Sequence, residues 1–237
     1  MQLNKFLAHA GVCSRRNAVE LIKQGVVKIN GVVVKEPGHP ISEDDSITVR
    51  GKKVEVERKL YIILNKPRGY ITTTSDDKGR DTVMDLIGSS YTERLYPVGR
   101  LDRNTTGILL LTNDGELAQR LAHPRHLVQK VYHVTLSKAF DEASRKKILA
   151  GVRLRDGKVT VDRISHALAP KKNQVRVTLH SGKYRIVRRL FESLGYEVKK
   201  LDRVQYARMN KRGLPAGVWR KLQQKEVSYL KKAVGME

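Results

Sequence analysis

The sequence predicts an α+β chain. A small N-terminal domain of helices and short strands, residues 1–56, precedes a larger domain, residues 57–237, built on a mixed, mainly antiparallel β-sheet with flanking helices. Three observations carry that prediction. Helical and strand patterns do not alternate regularly, as a doubly wound sheet would require. Two later segments, Val131-Tyr-His-Val-Thr-Leu136 and Gln174-Val-Arg-Val-Thr-Leu179, alternate as half-exposed antiparallel strands do. Between the two regions lies the charged run Arg50-Gly-Lys-Lys-Val-Glu-Val-Glu-Arg-Lys59, which reads as a linker or a frayed strand.

Taken in order, Leu3, Phe6, Leu7 and Ala10 recur at helical spacing, and Gly11 ends the run. Ser14 is placed to cap a second helix whose inner face is Ala18, Val19, Leu21 and Ile22, with Gly25 at its end. Two β-rich runs then flank Asn30-Gly31, the strongest short signal for a hairpin. Ile47, Thr48 and Val49 supply a third strand. Residues 60–64 form a buried strand ending in the turn Asn65-Lys66-Pro67-Arg68-Gly69, and residues 108–112 form another, followed by a short helix over 115–121. Further helices are expected over 141–149, 184–194 and 225–232.

Composition narrows the partners. Lys and Arg number 47 against 24 Asp and Glu, a net charge of +23 that points to a polyanion. A membrane surface would usually call for a basic amphipathic helix with Trp or Phe on its apolar side. The chain has one Trp and three Phe, so nucleic acid is the better match. The first 59 residues carry 11 basic and seven acidic side chains and the remainder 36 and 17, which places the main nucleic-acid surface on the larger domain. No apolar run approaches the ~20 residues that span a bilayer, and the N-terminus lacks the pattern of a secretory signal. A cytoplasmic protein is expected. The single cysteine, Cys13, cannot form an intrachain disulfide, a thiolate zinc site or an iron–sulfur cluster. The seven histidines show no metal-ligand spacing, His123 and His126 coming closest. With neither a Gly-x-Gly-x-x-Gly fingerprint nor a Walker loop, no metal and no nucleotide cofactor are expected.

The segment Tyr96-Pro-Val-Gly-Arg-Leu-Asp-Arg-Asn-Thr-Thr-Gly107 stands out. It sets one carboxylate, Asp102, between Arg100 and Arg103 in a glycine-flanked loop just before the apolar run Ile108-Leu-Leu-Leu111. In so basic a chain, an acid embedded among arginines is a candidate for chemistry on a polyanion. A later helix places Ile186, Val187, Leu190, Phe191 and Leu194 on one side and Arg185, Arg188 and Arg189 on the other.

These pieces carry two resemblances. The run Leu3-Asn-Lys-Phe-Leu-Ala8, then Gly11-Val-Cys-Ser-Arg-Arg-Asn-Ala18 and Ile22-Lys-Gln-Gly-Val-Val-Lys-Ile-Asn-Gly31, resembles the alpha-L RNA-binding module of a small-subunit ribosomal protein. Asn65-Lys-Pro-Arg-Gly69, Gly99-Arg-Leu-Asp-Arg-Asn-Thr-Thr-Gly107, Leu110-Leu-Thr-Asn-Asp-Gly-Glu116, Lys130-Val-Tyr132 and Gly182-Lys-Tyr-Arg-Ile-Val-Arg-Arg-Leu-Phe191 occur in the order seen in bacterial pseudouridine synthases. The whole chain looks like the RsuA/RluB branch of that family, which also carries the N-terminal module.

The resemblance implies isomerisation of a uridine in ribosomal RNA, large-subunit RNA being favoured over small-subunit or transfer RNA. Asp102 matches the family's catalytic aspartate. Three roles remain open to it: attack on the uracil ring, attack on the anomeric carbon, or removal of a sugar proton. Arg188 matches the basic residue that pairs with the aspartate, and a guanidinium there favours a charged, oriented carboxylate. Tyr132 matches the tyrosine that lies against the uracil ring, where stacking is worth ~1–3 kcal/mol. A base in folded RNA must be turned out of its stack. Arg100 and Arg103 are placed to hold the phosphates around it, with Lys66, Arg68, Arg125, Lys183 and Arg185 extending that track and Arg15, Arg16 and Lys23 supplying an auxiliary grip on the N-terminal domain. A monomer is expected. Two rival readings are a cysteine-dependent pyrimidine methyltransferase, which would need Cys13 near the site, and a non-catalytic ribosome-assembly factor.

Overall fold

A computed structural model describes residues 1–166 and 172–236. The chain divides into two compact units. The first comprises Met1–Leu60 with Tyr91–Leu95 and Asn113–Gly115, and the second holds the remainder.

In the first unit, α1 (Leu3–His9) and α2 (Arg15–Lys23) precede a sheet of β1 (Val27–Ile29), β2 (Val32–Val33), β3 (Ile47–Val49) and β4 (Lys52–Lys53), in the order β2-β1-β3-β4. The Ser14 hydroxyl accepts from the Asn17 amide at 3.1 Å and so caps α2. Asn30 takes a positive φ of 51° and Gly31 one of 84°, the left-handed pair that the tight hairpin between β1 and β2 requires. Leu3, Leu7, Ala18, Ile22, Val27, Ile29 and Ile47 close a small core. Part of the charged run becomes β4, paired to β3, and does not act wholly as a linker.

The second unit is built on a nine-stranded sheet. Its main path runs β11 (Arg163–His166), β12 (Gln174–Leu179), β8 (Lys130–Leu136), β13 (Val198–Tyr206), β7 (Thr106–Thr112), β5 (Tyr61–Lys66) and β15 (Trp219–Lys221). Two short strands lie off this path: β6 (Tyr96–Pro97) pairs with β7, and β14 (Met209–Asn210) pairs with β13. Neighbours are antiparallel except β7 and β13, which run parallel through Thr106–Asp202 and Gly107–Arg203. A separate hairpin joins β9 (Val152–Leu154) and β10 (Gly157–Val159).

Helices α3 (Gly115–Ala122) and α6 (Gln224–Lys232) pack Leu117, Leu121 and Leu230 against Ile63, Ile108, Leu110 and Tyr206 of the sheet. Helix α4 (Glu142–Ala150) is capped by Asp141, whose carboxylate accepts from the Ser144 amide. Helix α5 (Ile186–Glu192) is anchored by the fully buried Leu190 and Phe191. It begins two residues later than the pattern suggests. Arg185 takes a left-handed φ of 45°, so the chain turns there before the helix starts. No helix among the described residues is long and apolar enough to cross a membrane.

Candidate active site

Asp102 lies at a cleft of about 460 Å³ in the second unit. Val98–Arg103 of its own loop, Tyr132 of β8, Ser181–Val187 at the start of α5, and Leu201, Arg203 and Tyr206 of β13 contribute to the lining. The volume suits a small organic ring system with its substituents.

The loop is pinned from several sides. The Thr72 hydroxyl donates to the Leu101 carbonyl at 2.8 Å and accepts from the Leu101 amide at 3.2 Å. The Thr105 amide closes a turn onto the Asp102 carbonyl at 3.0 Å. Beneath it, Lys66 is 0% exposed and spends its ammonium on three carbonyls, of Thr105 at 2.9 Å, Pro67 at 3.0 Å and Arg103 at 3.3 Å. Burial pushes the Lys66 ammonium down to about 8, with the nearby Asp102 charge opposing the shift.

Gly107 makes the following strand pairing possible. Its φ of 107° lies in the left-handed half of the map, and a Cβ there would stand 2.7 Å from the Arg203 amide nitrogen and from Asp202 Oδ1. Only glycine lets β7 and β13 approach this closely. The Thr106 hydroxyl adds a bond to Asp202 Oδ1 at 2.8 Å.

Two arginines face the carboxylate. Arg188 Nε is 3.7 Å from Asp102 Oδ2, and Arg185 Nε is 4.0 Å from the same oxygen. Both are ion pairs without hydrogen-bond contact, and no hydrogen bond to either Asp102 carboxylate oxygen occurs among the described residues. Arg188 Nη1 donates to the Val198 carbonyl at 3.0 Å, which fixes the guanidinium against the start of β13. Burial lowers the Arg188 guanidinium from its ordinary value, and Asp102 opposes that effect. The result is a carboxylate steered by charge, with both oxygens still free to take a ligand group.

The residues singled out in the sequence fall into groups. Asp102, Tyr132, Arg188, Arg185, Arg100, Arg103 and Lys183 belong to this neighbourhood, and all but Arg188 line the cleft. Arg103 Nε is bound to the Gly69 carbonyl at 3.0 Å, which holds the side chain across the loop. Lys183 Nζ donates to the Asp156 carbonyl at the β9–β10 turn. Lys66 does not fit a phosphate track, because it has no exposed surface and its donors are spent inside the fold. Arg68 and Arg125 are exposed and do not line the cleft; they bond Asn104 Oδ1 and His126 Nε2 respectively. Arg15, Arg16 and Lys23 are exposed on α2 of the first unit. The cleft also holds residues to which the sequence reading gave no role. Lys130 is buried, donates to the Val128 and His180 carbonyls, and is pushed down to about 8 by burial. Arg203 is buried on β13, two residues from the buried Leu201, and no sequence pattern marks it.

Comparison with known proteins matches this architecture. Residues 60–193 match the RNA pseudouridylate synthase family, and residues 1–47 match the S4 domain. The chain is 45% identical over 233 residues to "Ribosomal large subunit pseudouridine synthase B" of Bacillus subtilis, covering 97% of this chain and 95% of that protein. It is 42% identical to an "Uncharacterized RNA pseudouridine synthase" of Aquifex aeolicus, covering 100% of this chain and 96% of that protein. A solved structure described as "Crystal structure of pseudouridylate synthase" aligns with a TM-score of 0.69 at 32% identity, covering 97% of this chain and 99% of that one. With an S4 domain at its N-terminus and the synthase region behind it, the chain belongs to the RNA pseudouridylate synthase family.

Proposed function

We propose that this enzyme isomerises a uridine of ribosomal RNA to pseudouridine, that the large-subunit RNA is its substrate, and that Asp102 is the essential carboxylate. The observation that carries the reading is the pairing of Asp102 with Arg188 at 3.7 Å beside a cleft lined by Tyr132. A uracil turned out of its stack lies against the Tyr132 ring. The carboxylate faces the nucleoside, and Arg188 and Arg185 orient it by charge attraction. Attack on the uracil ring, attack on the anomeric carbon and removal of a sugar proton all use the same two free oxygens, and all three remain open.

The relative from Bacillus subtilis, named for the large ribosomal subunit, supports the substrate class. Arg100, Arg103, Lys183 and Arg185 surround the cleft mouth as phosphate contacts, and Arg68 and Arg125 extend them. Arg15, Arg16 and Lys23 give the N-terminal domain, taken as residues 1–56, a second grip on the RNA, with residues 57–237 as the catalytic domain. Lys66 is reassigned from RNA contact to support of the Asp102 loop. The protein works as a cytoplasmic monomer. The reaction rearranges one nucleotide and consumes no second reactant, so it calls for no cofactor.

The test is to incubate the protein with ribosomal RNA transcripts carrying tritium on carbon five of uracil. Release of tritium without an added donor supports the reading. Tight binding without release contradicts it, and transfer of a methyl group from an added donor would identify a different enzyme. Mapping pseudouridine in ribosomal RNA from cells with and without the gene then tests the subunit assignment.

A further inference from the structure

The side of the sheet turned away from the cleft holds a depression of its own. It measures about 250 Å³ and is lined by Arg163 and Ser165 of β11, Arg176 and Thr178 of β12, Val131 of β8 and Gln205 of β13. Successive strand residues point to opposite faces, and the register brings these six together. Val131 precedes Tyr132, which lines the cleft, and it stands opposite Thr178 and Gln205. Arg163 pairs with Thr178 and Ser165 with Arg176. The two arginines are therefore diagonal neighbours on one face, with Cβ atoms ~7–8 Å apart. Both guanidinium groups can reach one small ligand from there.

These charges meet no acid. Arg163 and Arg176 are exposed, and neither side chain makes a hydrogen bond or an ion pair among the described residues. On this side of β11, β12, β8 and β13 the strand residues include one carboxylate, Asp202, which stands opposite His133. It is already engaged by the Lys211 ammonium and the Thr106 hydroxyl. Lys200, opposite Thr135, adds a further exposed cation to the same side. Gln205 spends its amide nitrogen on the Ala207 carbonyl, so the free donors are the two guanidinium groups and the Ser165 and Thr178 hydroxyls. Like charges placed this close repel, and an anion between them removes that cost.

We propose that this depression is a second RNA site, in which Arg163 and Arg176 clasp one backbone phosphate with the Ser165 and Thr178 hydroxyls as further donors. The occupant follows from charge. A basic face repels a second copy of a chain whose net charge is +23. Planar guanidinium forks beside hydroxyls match the oxygens of a phosphodiester. The source of that phosphate rests on the reading of the chain as a ribosomal RNA isomerase. β11 is an edge strand of the sheet, so a long RNA can pass from the cleft round that edge to the opposite face. A segment away from the target uridine is then held here while the nucleotide occupies the cleft. Such a contact fixes position and carries no sequence information.

The double variant Arg163→Gln/Arg176→Gln tests this in the full-length protein, by filter binding of a full-length large-subunit ribosomal RNA transcript across a salt series. Each neutralised phosphate adds about one to the slope of log affinity against log salt, so the slope should become shallower by about one. Affinity should fall about fivefold or more at fixed salt. Tritium release should drop at limiting protein and recover as protein is raised. Both arginines are exposed and unpaired, so the melting temperature should be unchanged or slightly higher. A control variant, Lys146→Gln/Lys147→Gln, removes the same charge from exposed positions on α4 and should change affinity by less than about twofold. Wild-type affinity and slope in the arginine variant would overturn the inference, as they would if this face served an acidic protein instead. Equal losses in the two double variants would also overturn it, because they would show a diffuse effect of charge. Absence of tritium release by the wild type would instead overturn the parent assignment, while the comparison of salt slopes stays readable.

Discussion

Replacing Arg188 with glutamine removes the charge facing Asp102 while leaving a donor for the Val198 carbonyl. Two unit charges 4 Å apart attract by about 4 kcal/mol at the effective permittivity near a protein surface and by about 1 kcal/mol in water. The Arg188 side chain is 12% exposed and that of Asp102 37%, so a pair at 3.7 Å falls between those limits. Part of the attraction is offset by the burial that already lowers the Arg188 guanidinium. A net loss of about 2 kcal/mol is expected, or roughly 30-fold in the rate of the chemical step. Arg188→Lys should recover only part of it, because one ammonium cannot face Asp102 and bond Val198 as the planar fork does. The assay is single-turnover pseudouridine formation at saturating protein, with RNA affinity and melting temperature measured alongside. A folded Arg188→Gln enzyme within twofold of wild type would refute the role given to the pair.

Other substitutions separate loop support from RNA contact. Lys66→Met should leave RNA affinity and its salt dependence intact but lower activity and stability, because three backbone carbonyls lose their donor; Arg103→Ala should weaken binding and flatten the salt dependence measured by filter binding. Gly107→Ala forces a Cβ against the Arg203 backbone at a left-handed φ, and its melting temperature should fall by roughly 5 °C or more in calorimetry. Lys66 and Lys130, both pushed down to about 8, should appear as two lysine side-chain resonances titrating near pH 8 in carbon-detected NMR and disappear one at a time in Lys66→Arg and Lys130→Arg. The native protein releases these two protons from about pH 8 while the unfolded chain keeps them to about 10.5, so this pair makes stability rise with pH across that window.

The sequence was legible where local chemistry decides the outcome. Ser14 caps α2, Asn30-Gly31 turns the hairpin, and the apolar runs of β5 and β7 are buried strands, because each depends on residues adjacent in the chain. The Asp102–Arg188 pair could be anticipated only by family resemblance, since 85 residues separate the two side chains and no periodicity connects them. Strand β13 was hidden for a different reason. Its pairing with β8 shifts register between Val198 and Lys200 and again between Arg203 and Gln205, which breaks the two-residue alternation. Lys66 reads as a turn lysine until the Asp102 loop folds over it, and burial of that kind is a tertiary fact. Arg185 looks helical by spacing, but its left-handed backbone places it before the first turn and beside the carboxylate.

Asp102→Asn is the most direct test of the central claim. The amide nearly matches the carboxylate in shape, and no protein hydrogen bond to the Asp102 carboxylate occurs among the described residues, so folding and RNA binding should be preserved. Tritium release from uracil-labelled ribosomal RNA should then fall to background at every protein concentration. Conversion at the wild-type rate by a folded Asp102→Asn protein would contradict the account.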